Sequence, residues 1–389
     1  MMEYVTAGES HGPQLTGILS GLPAGLKLDI EQINRDLAAR QGGYGRGNRQ
    51  KIEHDQVEIL GGLRHNQTLG SPLALAIKNR DHSHWSEIMN PTSPADEKNT
   101  LRRVEKPRPG HADLVGGMKY GHRDLRNVLE RSSARETAMK VAIGSVCQQL
   151  LGQLGIELVG YVKVIGGHDL GTARALDVAT IKKQIEANDL RILAQEQVDS
   201  IHNLIDETRR AGDTLGGVIQ VVVENVPVGL GSYTSWDNKL DAKLAQAVMG
   251  INAIKGVSFG DGFDLGYQKG SQVMDQITWD EQQGWSRLSN HLGGFEGGMT
   301  NGMPLVINAV MKPIPTLYKA LQTADINSKE LVKANVERSD TTAIVPASIV
   351  VEKTVAIELA RVILATFEGA NLSRLQKAVA AYRQELGAY

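Results

Sequence analysis

A single cysteine, Cys147, stands in a chain of 389 residues. It has no intramolecular partner, and its neighbours Val141, Ala142, Ile143 and Leu150 mark it as a buried thiol in a reducing compartment. Aromatic residues make up only 4% of the chain, too few for the stacking platforms that single-stranded nucleic acid favours. Charge of one sign is also missing. Lys+Arg number 42 against 44 Asp+Glu, a net charge of −2, which excludes a general polyanion binder but leaves room for a local basic pocket. The apolar stretch Ile349 to Phe367 is interrupted by Glu352, Lys353, Glu358 and Arg361, and Met1-Met2-Glu3-Tyr4 lacks the basic start of a secretory signal. Neither export nor membrane spanning is expected, and the location is expected to be cytoplasmic. His82-x-His84 has no third ligand at a zinc-like spacing, so it reads as surface polarity and no metal is expected.

What the chain has in excess is glycine, 42 residues, or about 11% against a usual ~7%. Part of that excess belongs to an internal repeat. Gly8-Glu-Ser-His-Gly12 through Leu22-Pro-Ala-Gly25 aligns without a gap on Gly212-Asp-Thr-Leu-Gly216 through Val226-Pro-Val-Gly229. Gly62…Thr68-Leu-Gly-Ser-Pro-Leu73 then matches Gly294…Thr300-Asn-Gly-Met-Pro-Leu305. Last, Glu130-Arg-Ser-Ser133 matches Glu337-Arg-Ser-Asp340. Three blocks in the same order imply two halves of similar architecture.

Local patterns agree. Asp29 is placed to cap a helix, with Gln32 at capping-box spacing and Ile30, Ile33 and Leu37 as its buried stripe until Gly42-Gly43. Asp237 precedes a second helix with Leu240, Leu244 and Val248. Val218 to Val226 and Met303 to Met311 read as buried strands, and Ser132 to Leu151 and Val350 to Phe367 as long helices. The expected fold is α+β, a β-α-β sandwich with helices between two mainly antiparallel sheets and pseudo-twofold symmetry. One domain is expected over 1–389: a first half of about 4–154, a connecting helical segment of about 155–211, a second half of about 212–370 and a C-terminal helix of about 371–389.

Three polar segments carry candidate chemistry. His11, in a strand-to-strand turn, is replaced by Leu215 in the duplicate, so the shared fold does not require it. Arg40-Gln-Gly-Gly-Tyr-Gly-Arg-Gly-Asn-Arg49 alternates guanidinium groups with glycines, as a basic loop or an anion clamp would. It lacks the spacing of a dinucleotide fingerprint, which argues against a nicotinamide-dependent reductase. Arg108-Pro-Gly-His-Ala-Asp113 precedes Glu130-Arg131-Ser132-Ser133-Ala134-Arg135, read as a helix N-terminus with Arg131 and Arg135 on one face. With Arg40, Arg46, Arg49, Lys312 and Arg338 these cations call for a ligand bearing several negative charges.

At this point the residues resemble a family. Gly8-Glu-Ser-His-Gly12, Glu130-Arg-Ser-Ser-Ala-Arg-Glu-Thr137 and Arg338-Ser-Asp340 are similar to the signature segments of chorismate synthase. Gly42-Gly-Tyr-Gly-Arg46, Gly293-Gly-Phe-Glu-Gly-Gly-Met-Thr-Asn-Gly302 and Lys312-Pro-Ile-Pro-Thr316 extend the likeness. The resemblance implies a lyase that takes 5-enolpyruvylshikimate 3-phosphate to chorismate by anti 1,4-elimination of phosphate, needing reduced FMN without net redox change. It also implies a homotetramer supplied by an external flavin reductase or an NADPH-dependent reductant. By motif, His11 would protonate the departing phosphate, His111 would stabilise the reduced flavin and Asp340 would take the proton from flavin N5. Arg40, Arg46, Arg135 and Arg338 would clamp the substrate, with Ser10 assisting. Arg131, Ser132, Ser133, Asn252, Ala253, Gly297, Lys312, Pro313, Ile314, Pro315, Thr316 and Arg338 would hold FMN.

Overall fold

The structure, a computed structural model, describes residues 2–46, 54–94, 96, 99–173, 176–281, 284–335 and 339–389. Two antiparallel sheets dominate it. In the first, β1 (Glu3–Ala7) and β2 (Gln14–Ser20) form a hairpin, followed in order by Leu73–Lys78 and Val57–Gly61. The second runs Ile254–Phe259, Leu305–Met311, Gly217–Glu224, Glu157–Ile165, His168–Asp169. The mixed α+β class and the antiparallel sheets therefore stand as expected.

Helix α1 (Ile30–Gln41) starts where the cap was placed: Asp29 Oδ1 accepts from Gln32 N–H at 3.0 Å. Gln32 turns its own side chain to Asp36, at 3.1 Å, rather than back to the cap. Later come α2 (Asp113–Tyr120), α3 (Arg126–Arg131) and α4 (Thr137–Gly152). The apolar helix Ile344–Thr366 begins six residues before the expected Val350, taking Pro346 into its first turn, where a missing N–H costs nothing.

Close approach explains several of the glycines. A Cβ on Gly17 of β2 would lie 2.6 Å from Met139 Sδ of α4, and one on Gly144 of α4 would lie 2.4 Å from Lys353 Cβ. One on Gly160 of the second sheet would meet Ser348 O at 2.6 Å. Glycine thus lets the first sheet, α4, the helix Ile344–Thr366 and the second sheet pack in succession. Buried Lys353 is paired there with Asp36 Oδ2 at 2.8 Å and Glu352 Oε1 at 3.0 Å, the compensation that a buried ammonium needs.

The aligned blocks make the same hydrogen bonds. Thr68 Oγ1 donates to Pro23 O at 2.6 Å and accepts from Leu26 N at 2.9 Å; Thr300 Oγ1 does the same with Pro227 O at 2.6 Å and Leu230 N at 2.9 Å. Leu69 N reaches Gly62 O at 3.1 Å, and Asn301 N reaches Gly294 O at 3.0 Å. The connecting segment holds its expected helices, Val178–Ile185 and Val198–Arg210, and also the nine-residue strand Glu157–Ile165.

Candidate active site

The turn between β1 and β2 carries His11, and α3 fixes it from below. Glu130 of α3 accepts from the His11 backbone N–H at 2.8 Å, and both of its oxygens lie 2.9 Å from His11 Nδ1. An ionised carboxylate only accepts, so Nδ1 carries the proton and Nε2 is the nitrogen left for chemistry. Burial raises Glu130's carboxyl, but the hydrogen bonds and charge of His11, with Arg126 beside it, outweigh burial and hold it below the usual range. Trp85 stacks on the imidazole at 3.9 Å. His82 is not surface polarity, because its Nδ1 bonds to His11 O at 2.9 Å.

Two arginines meet at Asp55, and a third lies close to them. Arg135 Nη1 meets Asp55 Oδ2 at 2.7 Å, and Arg40 Nη1 lies 3.7 Å from the same oxygen. Burial, with the charges of Arg135 and Arg46 nearby, pushes Arg40 down to about 9 against Asp55's opposing pull. A guanidinium does not surrender its proton in a protein, so the shift expresses how poorly compensated the buried charge is. Arg46 pairs with Asp340 at 2.6 Å. Burial lowers it too, Asp340 opposing, and its buried Nε has no hydrogen-bond partner among the described residues. Asn79 joins this bed to the His11 turn: its Oδ1 accepts from Arg135 Nε at 2.9 Å, and its Nδ2 donates to Gly12 O at 2.8 Å. Ser133 Oγ reaches Ser10 Oγ at 3.2 Å.

Arg131 and Arg135 do not share a helix face. Ser132 Oγ bonds back to Val128 O at 2.7 Å and closes α3, while Ser133 turns extended and caps a 3-10 turn, Ala134–Glu136, ahead of α4. Hydroxyls that compete for backbone groups end helices in this way. Arg131 consequently reaches out to Thr6 O at 3.0 Å and Gly8 O at 3.1 Å, away from Asp55.

A second cluster surrounds His111. Its Nδ1 lies 2.6 Å from Asp113 Oδ1, and Arg108 grips Asp113 with Nε at 2.8 Å and Nη2 at 3.0 Å. Arg108 Nη2 also lies 3.2 Å from His111 Nε2, and its Nη1 reaches Thr316 Oγ1 at 3.1 Å. Burial raises the Asp113 carboxyl, but the bonds from His111 and Arg108 drive it far below the ordinary carboxylate range.

The two clusters are joined. Asn252 Nδ2 donates to Ser132 O at 2.9 Å, Lys312 N donates to Ala253 O at 3.0 Å, and the Lys312 ammonium bonds to Gly110 O next to His111. Pro315 approaches the same Gly110, and Ile314 O accepts from Thr214 at 2.8 Å. Desolvation, with the charge of Lys255 nearby, lowers Lys312. A depression of 380 Å³ opens beside Lys312 and Pro313, whereas a larger one of 860 Å³ near Lys27–Glu31 and Gln149 is lined by none of the site residues. Gly297 lies in the turn after Phe295–Glu296, where an added Cβ would meet Tyr233 and Met299. Arg49 and Arg338 lie outside the described residues.

Sequence reasoning gave no role to Glu130, Asp55, Trp85, Asn79, Arg108 or Asp113. Glu130, Arg108 and Asp113 stood inside the quoted motifs, where a carboxylate near a candidate histidine was the available signal.

Clustered guanidinium groups beside one imidazole, linked through Ser132, Asn252 and Lys312 to a second, have the chemistry of an enzyme site for an anionic metabolite. The chorismate synthase family model matches residues 2–364. A chorismate synthase of Lactiplantibacillus plantarum is 69% identical over 389 residues, covering 100% of both chains. One from Enterococcus faecalis is 55% identical over 382 residues, 98% of each. A crystal structure of a chorismate synthase superposes with a TM-score of 0.81 at 39% identity, covering 100% of this chain and 99% of that one. The chain belongs to the chorismate synthase family, phosphate lyases of the shikimate pathway that convert 5-enolpyruvylshikimate 3-phosphate to chorismate and use reduced FMN.

Proposed function

We propose that the arginine bed is the substrate clamp and the Lys312 strip the flavin site of one active centre. The observation that carries this reading is the unbroken line of contacts from His11 through Ser10, Ser133, Ser132, Asn252 and Lys312 to Gly110 beside His111. Arg40 and Arg135 share Asp55, and Arg46 pairs with Asp340; a cluster of three guanidinium groups suits a ligand with one phosphate and two carboxylates. The donor set of the strip fits FMN: Lys312 and Arg131 for a phosphate, Ser132, Ser133, Thr316 and Asn252 for hydroxyls and ring-edge carbonyls. Bound there, the reduced flavin supplies the electron density that C–O cleavage requires.

The chain's own residues do the rest. Arg40, Arg46 and Arg135, with Ser10, orient the substrate and balance its charge. His11, its Nδ1 committed to Glu130, delivers a proton from Nε2 to the departing phosphate. Asp340, held by Arg46, would take up the proton from flavin N5. His111, with Arg108 against its ring, would stabilise the reduced flavin.

The same reading includes a β-α-β sandwich with pseudo-twofold symmetry, supported by the duplicated hydrogen bonds at Thr68 and Thr300. It includes a cytoplasmic homotetramer served by an external reductant. An apolar outer face on the first sheet would suit assembly: Val5, Ile18 and Leu60 are 62%, 43% and 58% exposed, and Val5 and Ile18 are cross-strand partners. The test of the residue roles is turnover under anaerobic conditions with reduced FMN. His11→Ala and Asp340→Asn are each expected to lose at least about tenfold in kcat, about 1.4 kcal/mol of barrier, with unchanged circular dichroism. Unchanged turnover in both would remove the assignment.

A further inference from the structure

We propose that Glu130 is a positioning residue for His11, and that only a carboxylate at this position holds the Nδ1 proton so that Nε2 faces the substrate and carries the proton to be delivered. The proposal rests on the reading of His11 given above.

Three donors converge on one side chain. The His11 backbone N–H reaches Oε2 at 2.8 Å, Arg126 Nη1 reaches Oε1 at 3.1 Å, and His11 Nδ1 lies 2.9 Å from both oxygens. A carboxylate accepts on both sides, whereas an amide accepts on one and donates on the other. Glutamine at 130 therefore meets a donor with its own NH2 whichever way it is turned. With nitrogen at the Oε2 position it opposes the His11 N–H; with nitrogen at the Oε1 position it opposes Arg126. Glu130 is 2% exposed, so water cannot fill in for the lost acceptor. In either orientation one amide oxygen and one NH2 lie against Nδ1, so the amide holds the Nδ1 proton less firmly than the carboxylate does and brings no negative charge to balance a ring protonated on both nitrogens, the form that delivers a proton from Nε2.

The rest of the surroundings leaves this selection to Glu130. Trp85 offers the ring a face, with the Arg102 guanidinium 4.0 Å from the indole centroid. His82 bonds to the His11 carbonyl rather than the ring. Asp81 Oδ2 lies 4.0 Å from Nε2, beyond hydrogen-bond reach. Glu130 also holds the turn, since its backbone carbonyl accepts from Ser10 N at 3.0 Å.

The experiment is a double-mutant cycle on the FMN-loaded enzyme with Glu130→Gln, His11→Ala and the pair, read as kcat and KM separately. Glu130→Gln is expected to lower kcat at least about tenfold, as loss of the correct tautomer does in other histidine-dependent enzymes, while KM stays within about threefold. In the His11→Ala background it is expected to cause no further loss. Ring-nitrogen NMR of histidine-labelled protein is expected to show the neutral His11 ring held as Nδ1–H in the parent and as a mixture of the two tautomers in Glu130→Gln. Glu130→Asp, which keeps two acceptor oxygens, is expected to recover activity over Glu130→Gln and carries the cycle if the glutamine variant does not fold. A full additional loss in the His11→Ala background, or an unchanged His11 tautomer, overturns the proposal while leaving His11's own role intact. Unchanged turnover in His11→Ala alone instead removes the reading on which it rests.

Discussion

Removing the Arg46 guanidinium should weaken substrate binding by about tenfold, and the structure says why the loss is not larger. A hydrogen bond to a charged group contributes about 1.5–3 kcal/mol, and Arg46 can offer an incoming anion more than one. In the resting protein, however, its Nη1 is already spent on Asp340 at 2.6 Å, so part of any new contact replaces an old one. Its buried Nε has no hydrogen-bond partner among the described residues to give up. One uncompensated charge-assisted bond, taken at the lower bound of about 1.5 kcal/mol, corresponds to about tenfold in Kd. Arg46→Lys keeps the charge but not the fork and should fall between parent and Arg46→Ala. The assay is calorimetric titration of the enolpyruvyl phosphate substrate into enzyme carrying oxidised FMN, which prevents turnover, at fixed ionic strength. A folded Arg46→Ala variant that binds within about twofold of the parent would refute the clamp.

Two further outcomes concern stability. Thr68→Val and Thr300→Val each strip one buried hydroxyl from a carbonyl and an N–H and should each cost about 1–3 kcal/mol in urea unfolding; a large cost at one site and none at the other would speak against a duplicated scaffold. Acid should destabilise through Asp113 and Glu130, whose folded carboxyls lie below their ordinary values of 3.8 and 4.5. The unfolded chain then takes up protons first, so their contribution is full above about pH 5 and is lost as pH falls through the folded values. Asp113→Asn should be less stable at neutral pH and show a flatter acid limb; a limb as steep as the parent's would contradict the assignment.

The strand–turn–strand at 8–12, the Asp29 cap and most of both long helices were legible because each rests on local chemistry. The strand Glu157–Ile165 was legible in principle, as a β-branched run between Gly155 and Gly166-Gly167, but the flanking helical patterns masked it. The break between Arg131 and Arg135 was not legible, because helical spacing says nothing of which carbonyl a serine will take. The partners of the site residues were out of reach for another reason. His11 meets Glu130 across 119 positions and Arg135 meets Asp55 across 80, and no local pattern encodes such pairings. The motifs therefore pointed to the reacting groups, and the fold was needed to show what aims them.

The most direct test follows the reaction itself. Under anaerobic conditions, with reduced FMN and 5-enolpyruvylshikimate 3-phosphate, inorganic phosphate and chorismate should appear in equal amounts while the flavin ends as reduced as it began. Phosphate without chorismate, or flavin oxidised mole for mole with product, would contradict the account.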